Sequence, residues 1–268
     1  MTEYQYGSFK TKLEYVEGEN YFYLGDNKSK KYVDEKLNDG STITLSEDDI
    51  RKCFEYAYRM AIENKQRENR SGGKHQRREL EIFWDDFRGK IAECFAKDYF
   101  ERKGCKVDDI DFEIYDRGKW DKYDLRVNNH IVAIKSSKHF SQLLLLESKD
   151  WNSSGSYVGN QGENKYLPEW FLFVRTKIDH PKVRSGATLK TKEEMWNIVN
   201  EINITAELTG GLSFYDFVNQ VIRYKYIIRQ GSIFKVSKTS RGTEMDADNY
   251  YVKLSELESV EAMTEKLL

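Results

Sequence analysis

Cysteine is scarce in this chain of 268 residues: Cys53, Cys94 and Cys105 are an odd number, far apart, with no CxxC pair. That pattern argues against a disulfide framework and a cysteine zinc site, and it suits a reducing, cytoplasmic setting. No apolar run approaches the length of a membrane span, and the opening "MTEYQYGSFK" lacks an apolar signal core, so no membrane partner is expected. The four histidines, His75, His130, His139 and His180, form no HxH, HExxH or HNH-like group. A P-loop, a nucleophilic serine elbow and a dinucleotide fingerprint are missing too, which removes several large enzyme classes. A basic excess is also lacking. With a formal net charge of -2 the chain cannot coat nucleic acid uniformly, although sequence-reading proteins often confine positive charge to one cleft.

What is present is charge and aromatic mass. Charged residues make up 33% and aromatics 14%, enough for an ionic surface around a packed interior in one domain, or one domain with an attached lobe. Residues 1–45 read as one or two strands. Ser46 caps a helix whose first turn is acidic and whose Ile50, Phe54, Tyr58 and Ile62 recur at helical spacing, ending near Asn64. After the basic stretch 65–78, a second helix runs from about Arg78 to Lys103, with Trp84, Phe87, Ile91, Phe95 and Tyr99 as a core stripe and Gly104 as its stop. Strands follow at 111–116, 122–127 and 130–136, then a helix over 139–147, a polar loop and a strand over 169–177. Helices near 191–202 and 213–222 and strands near 225–236 and 249–254 complete the reading. The helix, strand, strand, helix, strand order across 79–177 predicts an α/β domain with a mixed sheet.

The segment "KYDLRVNNHIVAIKSSK", 122–138, carries the chemistry. If Asn128-Asn129 forms a two-residue type I′ turn, Val127 pairs with His130, Leu125 with Val132 and Asp124 with Ala133. Directly opposed residues share a face of the sheet, and Lys135, two residues beyond Ala133, points the same way. An acid at 133 would bring two carboxylates and a lysine to one spot. Phosphodiester hydrolysis needs that set: carboxylates to bind a hard cation such as Mg²⁺, and an ammonium to orient water and offset developing negative charge.

With those residues the chain resembles the PD-(D/E)xK nuclease superfamily, which includes many type II restriction endonucleases and Holliday-junction resolvases. "GKIAE" offers the helix glutamate, Glu93, with Gly89 one turn before it; "KYDLRV" offers Asp124; "VAIKSSK" offers Lys135, but with Ala133 where the family has its second acid. The resemblance covers about 79–177. It implies a restriction-endonuclease-like core with a mixed central β-sheet flanked by helices, plus accessory elements. Residues 1–78 form an N-terminal accessory region, 79–177 the catalytic core and 178–268 a C-terminal recognition and dimerisation region, all within one domain. It further implies a Mg²⁺-dependent, site-specific endonuclease of double-stranded DNA acting as a homodimer. Asp124, Glu93 and the position of Ala133 would hold the metal, and Lys135 would assist the attacking water. Ala133 departs from the pattern. A naturally inactive DNA binder, a site whose acid has migrated, and a local acid-to-alanine replacement all fit; the third is favoured because the rest of the motif is intact. A structure-specific or anti-phage defence DNase on the same core is the rival enzyme.

Three segments are candidates for DNA contact. The 65–78 stretch offers Arg70, Ser71, Gly72, Gly73, Lys74 and Arg77, charges that displace counterions around a backbone free to approach phosphate. The loop 152–165 offers Asn160 and Gln161, able to read base edges. The stretch 222–238 has five basic residues and no acid, and as a strand it would set Arg223 and Lys225 on one face as a phosphate-tracking edge. Lys138, at the end of the candidate catalytic strand, completes the set; His139 after it is read as a helix cap rather than a phosphate contact.

Overall fold

The computed structural model describes residues 12–24, 45–63, 78–115, 123–158, 167–178, 191–237 and 239–268. In chain order the elements are β1 (Glu14–Val16), β2 (Tyr21–Tyr23), α1 (Glu47–Tyr58, continued by a π-helical turn to Glu63), α2 (Glu79–Arg102), β3 (Leu125–Val127), β4 (His130–Lys138), β5 (Leu143–Glu147) and β6 (Trp170–Lys177). There follow α3 (Lys192–Glu201), β7 (Thr205–Ser213), α4 (Phe214–Asp216, continued by a π-helical turn over Phe217–Ile222), β8 (Ile227–Ile228), β9 (Ile233–Lys235), β10 (Thr243–Glu244), β11 (Asn249–Lys253) and α5 (Val260–Leu267).

The helices start where side chains can take the free N–H groups of their first turns. Ser46 accepts from Asp49 N at 3.1 Å, Thr191 Oγ1 from Glu194 N at 3.1 Å, and Ser259 from Ala262 N at 3.2 Å. At the other end of α2, Gly104 takes a left-handed φ of 85°. Its N–H bonds Glu101 O at 2.9 Å while Cys105 N–H bonds Phe100 O at 3.0 Å, so the last carbonyls are satisfied and the chain turns back to the sheet. The expected stripe of α2 is in place: Trp84, Phe87, Ile91 and Phe95 are buried, and Tyr99 packs partly against the same cluster.

A mixed sheet in the order β3-β4-β6-β7 forms the centre: β3/β4 and β6/β7 are antiparallel, β4/β6 parallel. Alternation along the strands sends their two sets of side chains into two cores. Leu125, Val127, Val132, Ile134, Leu172 and Val174 join the cluster under α1, α2, α3 and α5. Phe171, Phe173 and Leu212 join a second cluster, with Leu143, Leu144, Leu146, Trp151 and Phe217, under a small antiparallel sheet β5-β11-β8 and α4. The molecule is therefore a mixed α/β protein with helices on one side of its central sheet and a smaller sheet on the other. No described helix is long and apolar enough to cross a membrane.

Several expectations change. The helix over 139–147 is strand β5, paired residue for residue with β11 from Leu143↔Lys253 to Glu147↔Asn249. A run of four leucines suits either state, and the partner that decides it lies a hundred residues downstream. Residues 111–115 form no strand; it is the preceding residues that reach the β3 edge, through the bridge Val107↔Val127 and the bonds of Asp108 N to Arg126 O and Asn128 N to Lys106 O. Strand β7 falls in a stretch, 203–212, to which the sequence reading assigns no element. Here Gly210 has φ 147°, beside the register shift at Phe173/Val174, and any Cβ on it would strike the Glu258 carbonyl. Gly211 exchanges two backbone hydrogen bonds with Glu258, tying α5 to the sheet.

The β3–β4 hairpin has the expected geometry. Asn128 and Asn129 have φ 47° and 74°, as a type I′ turn requires, and the pairs Val127↔His130 and Leu125↔Val132 follow. The two asparagines differ in duty. Asn128 Oδ1 accepts from Lys106 N at 2.7 Å and its Nδ2 donates to Leu267 O at 3.0 Å, clamping the turn to the α2 exit and the end of α5. Asn129 is exposed at the apex. In chemical denaturation, Asn128→Gly should cost about 1–2 kcal/mol through those two bonds, whereas Asn129→Gly should cost nothing or stabilise.

Candidate active site

Continuing the hairpin register by one residue sets Asp124 opposite Ala133. In a two-residue hairpin this is a pair without ladder hydrogen bonds, the kind that brings side chains closest. Leu125 and Val127 face the helices, Ala133 packs on the other side of the sheet and Lys135 alternates with it, while Asp124 stands just before β3. Strand β3 begins only at Leu125. The Ile134 N–H, which the ladder would otherwise leave without a strand partner, donates to Asp124 Oδ2 at 2.6 Å. The aspartate therefore finishes the hairpin with its side chain.

Ala133 sits beside Phe171 of β6 in register and packs against the second cluster, where Trp151 meets Phe171 edge-on at a centroid distance of 5.3 Å. Lys135 is half-buried and sits beside Phe173. Two acids that the motif did not single out share its neighbourhood. Burial raises the carboxyl pKa of Asp150, and the charge of Glu147 raises it further, while Lys149 and Lys135 pull it down in part. Glu147 ends the stretch read as a helix and Asp150 lies three residues beyond it, so nothing local linked Asp150 to Lys135.

Glu93, expected at the same site, lies instead in the helix layer, on the other side of the central sheet from Ala133. Its Oε2 accepts from Lys90 Nζ at 2.7 Å, both residues are buried, and the Lys90 ammonium stands over the Tyr56 ring at 4.9 Å and the Phe112 ring at 5.8 Å. To act as a ligand Glu93 would have to give up that ammonium. Nearby, Cys53 and Cys94 touch at 3.5 Å between sulfurs, and burial first, then Cys94, hold the Cys53 thiol well above its usual range, which makes it inert. Among the described residues no three His, Cys, Asp or Glu side chains gather closely enough to hold a metal ion. With alanine at 133, the face of Asp124 and Lys135 offers one free carboxylate oxygen and a cation, and this donor set does not fit Mg²⁺.

The candidate DNA contacts divide. Arg70, Ser71, Gly72, Gly73, Lys74, Arg77, Asn160 and Gln161 lie outside the described residues. Lys138 is exposed at the end of β4. Arg223 and Lys225 are exposed but do not alternate on a strand: they belong to the turn that ends α4, where Lys225 has φ 54° and Arg223 lies over the exposed Tyr224 ring at 5.8 Å. The helical pattern of 214–222 runs on past Ile222, and β8 and β9 are short pieces on different sheets. Asn152 is occupied locally, since its Oδ1 accepts from Ser154 N and Ser156 N at 3.0 and 2.9 Å. His139 caps no helix, as none follows it.

Comparison with protein-family models, with curated proteins and with solved structures finds no match to this chain.

The position of Asp150 gives a test by pH. A carboxyl whose pKa is raised in the folded state destabilises the fold once it ionises, and that penalty disappears as the pH falls through the raised value. Asp150→Asn should therefore raise Tm at pH 8 and lose that advantage toward pH 4. Lys135→Met should lower Tm at pH 8 when Asp150 is present and do so less in the Asp150→Asn background. Equal effects in both backgrounds would place Lys135 out of reach of Asp150.

Proposed function

We propose that this chain is a DNA-binding protein on a PD-(D/E)xK-type nuclease core, a type II restriction endonuclease whose second metal-binding acid is replaced by Ala133. The observation that carries the reading is the type I′ hairpin, which bonds Asp124 to the N–H of Ile134, between Ala133 and Lys135, and is backed by a parallel neighbour strand. A helix leading into an antiparallel pair, with the second strand continued in parallel by a later one, is the order the family resemblance implies. The crossover here differs, since it passes through strand β5 rather than a helix.

In this reading Lys135 meets a non-bridging oxygen of the scissile phosphate and offsets the charge that builds there during hydrolysis. Asp124, held by the Ile134 N–H, aims one oxygen at the same point. Chemistry of this class draws on Mg²⁺ to polarise the phosphate and activate water. The present donor set does not hold that ion, so the residues as they stand bind duplex DNA without cutting it. Palindrome reading would favour a twofold dimer, with residues 178–268 supplying recognition and pairing.

A second reading, a DNA-binding protein that has long abandoned catalysis, is favoured by one observation: Ala133 is packed against apolar neighbours and leaves no polar gap beside Asp124. Restoring the acid separates the two. Ala133→Asp or Ala133→Glu, incubated with plasmid and Mg²⁺, should yield discrete fragments, and adding Lys135→Ala should reduce the rate about 10²–10³-fold. A folded revertant that binds duplex and never cleaves it supports the abandoned site. Smeared or branch-dependent degradation supports a defence or structure-specific DNase.

A further inference from the structure

Spacing along the chain argues against a disulfide framework, yet the packing of α1 on α2 brings two of the three cysteines together. Cys53 of α1 and Cys94 of α2 stand with their sulfurs 3.5 Å apart, both as free thiols. The approach has a plain cause. Cys53, Ala57 and Ala61 recur every four residues on α1 and its continuation and are fully buried, so a row of small side chains lets α2 come close. Phe54 and Phe83, edge-on at a centroid distance of 5.7 Å, fix the two helices beside that row.

A disulfide bond is about 2.05 Å long, so the sulfurs need to approach by about 1.5 Å, a shift that small rotations of the two side chains and a slight closing of the helices supply. Cys105 is no competitor, because it lies beyond the end of α2, at least about 12 Å along the helix axis from Cys94. Access is the opposing constraint. Cys53 is fully buried and Cys94 is 6% exposed, and burial keeps the Cys53 thiol protonated, so the pair does not meet a dissolved reagent while the helices are packed.

We propose that Cys53 and Cys94 are a redox latch between α1 and α2, closed or left open while the chain folds and then sealed by burial. The oxidant is a small disulfide such as oxidised glutathione. With the helices apart, one cysteine thiolate attacks it; the reagent's sulfur–sulfur bond breaks, one small thiol leaves and a mixed disulfide forms. The second cysteine thiolate attacks the protein sulfur of that mixed disulfide and releases the second small thiol. The protein gives up two electrons and two protons, and both pass to the released thiols. The new bond closes a loop of about 40 residues that contains the basic stretch 65–78, and it removes freedom from the unfolded chain.

To test the latch, the intact chain is unfolded in guanidinium chloride with reductant, desalted, and refolded with either oxidised glutathione or dithiothreitol. Each sample is then denatured in N-ethylmaleimide and digested with trypsin. The oxidised sample should carry a cross-link between the peptides Cys53–Arg59 and Ile91–Lys97, with Cys105 outside it, and the reduced sample should carry maleimide on all three cysteines. The cross-link should raise Tm by about 5–10 °C, a gain absent from Cys53→Ala and Cys94→Ala. If an alanine variant does not fold, the peptide map of the parent still decides. Folded, reduced chain given oxidised glutathione should stay uncross-linked until guanidinium is added. Cys53 and Cys94 recovered as thiols or as separate glutathione adducts after oxidative refolding, or a cross-link through Cys105, would overturn the latch. Closure in the folded chain as fast as during refolding would overturn the sealing by burial.

Discussion

The β3–β4 register is the constraint on which the rest depends. Side chains alternate across a strand, so a slip of one residue would send Asp124 and Lys135 into the helix-facing core and bring Leu125 and Ile134 out. Two left-handed asparagines prevent that slip, and Asn128 adds a clamp to the Lys106 N–H and the Leu267 carbonyl. The core on both faces enforces the same register, because Val132 and Ile134 fit only among the residues of α2. The face that carries Ala133 and Lys135 is thus a by-product of burying the other face.

Ala133 changes the balance between packing and chemistry at that face. A carboxylate there would sit beside Phe171, in a wall completed by Trp151 and Phe217, and its desolvation would be costly without a cation to compensate. Alanine removes that cost and lets the apolar wall close. The raised carboxyl of Asp150 shows that the cost of burying charge persists close by, with Lys149 and Lys135 relieving it only in part. Arg175 shows a different solution on the same side of the sheet: full burial, but with Glu207 and a backbone carbonyl taking its protons. That pair also fixes the turn at the end of β4, so the electrostatics of the interior set the shape of the surface that faces DNA in the proposed reading.

Local pattern was legible wherever the deciding partner is close in sequence. Helices α1, α2 and α3 are written in their caps and apolar stripes, and the hairpin is written in Asn128-Asn129. It failed where the partner is remote. Leu143–Leu146 become a strand because β11 lies alongside, and β7 tolerates Gly210-Gly211 because Glu258 completes its edge. The segment after Ile222 looked like a strand because its basic and apolar residues alternate, yet α4 carries its turn through Lys225. Glu93 was chosen for its place in a motif, and no rule of spacing foretells that Lys90, one turn before it, takes its carboxylate in the interior.

The amino-acid sequence by itself determined the presence of α1, α2 and α3, the type I′ turn and, through period-two alternation, the common face of residues 133 and 135, because each follows from contacts within a few residues. Only the tertiary structure decided which core that face borders, that Asp150 stands near Lys135, that Glu93 is bonded to Lys90, and that buried Arg175 is bonded to the turn after β4. Those outcomes depend on side chains from β5, β6, β7 and α1 meeting across long stretches of chain, and burial and charge pairing between distant residues leave no local trace.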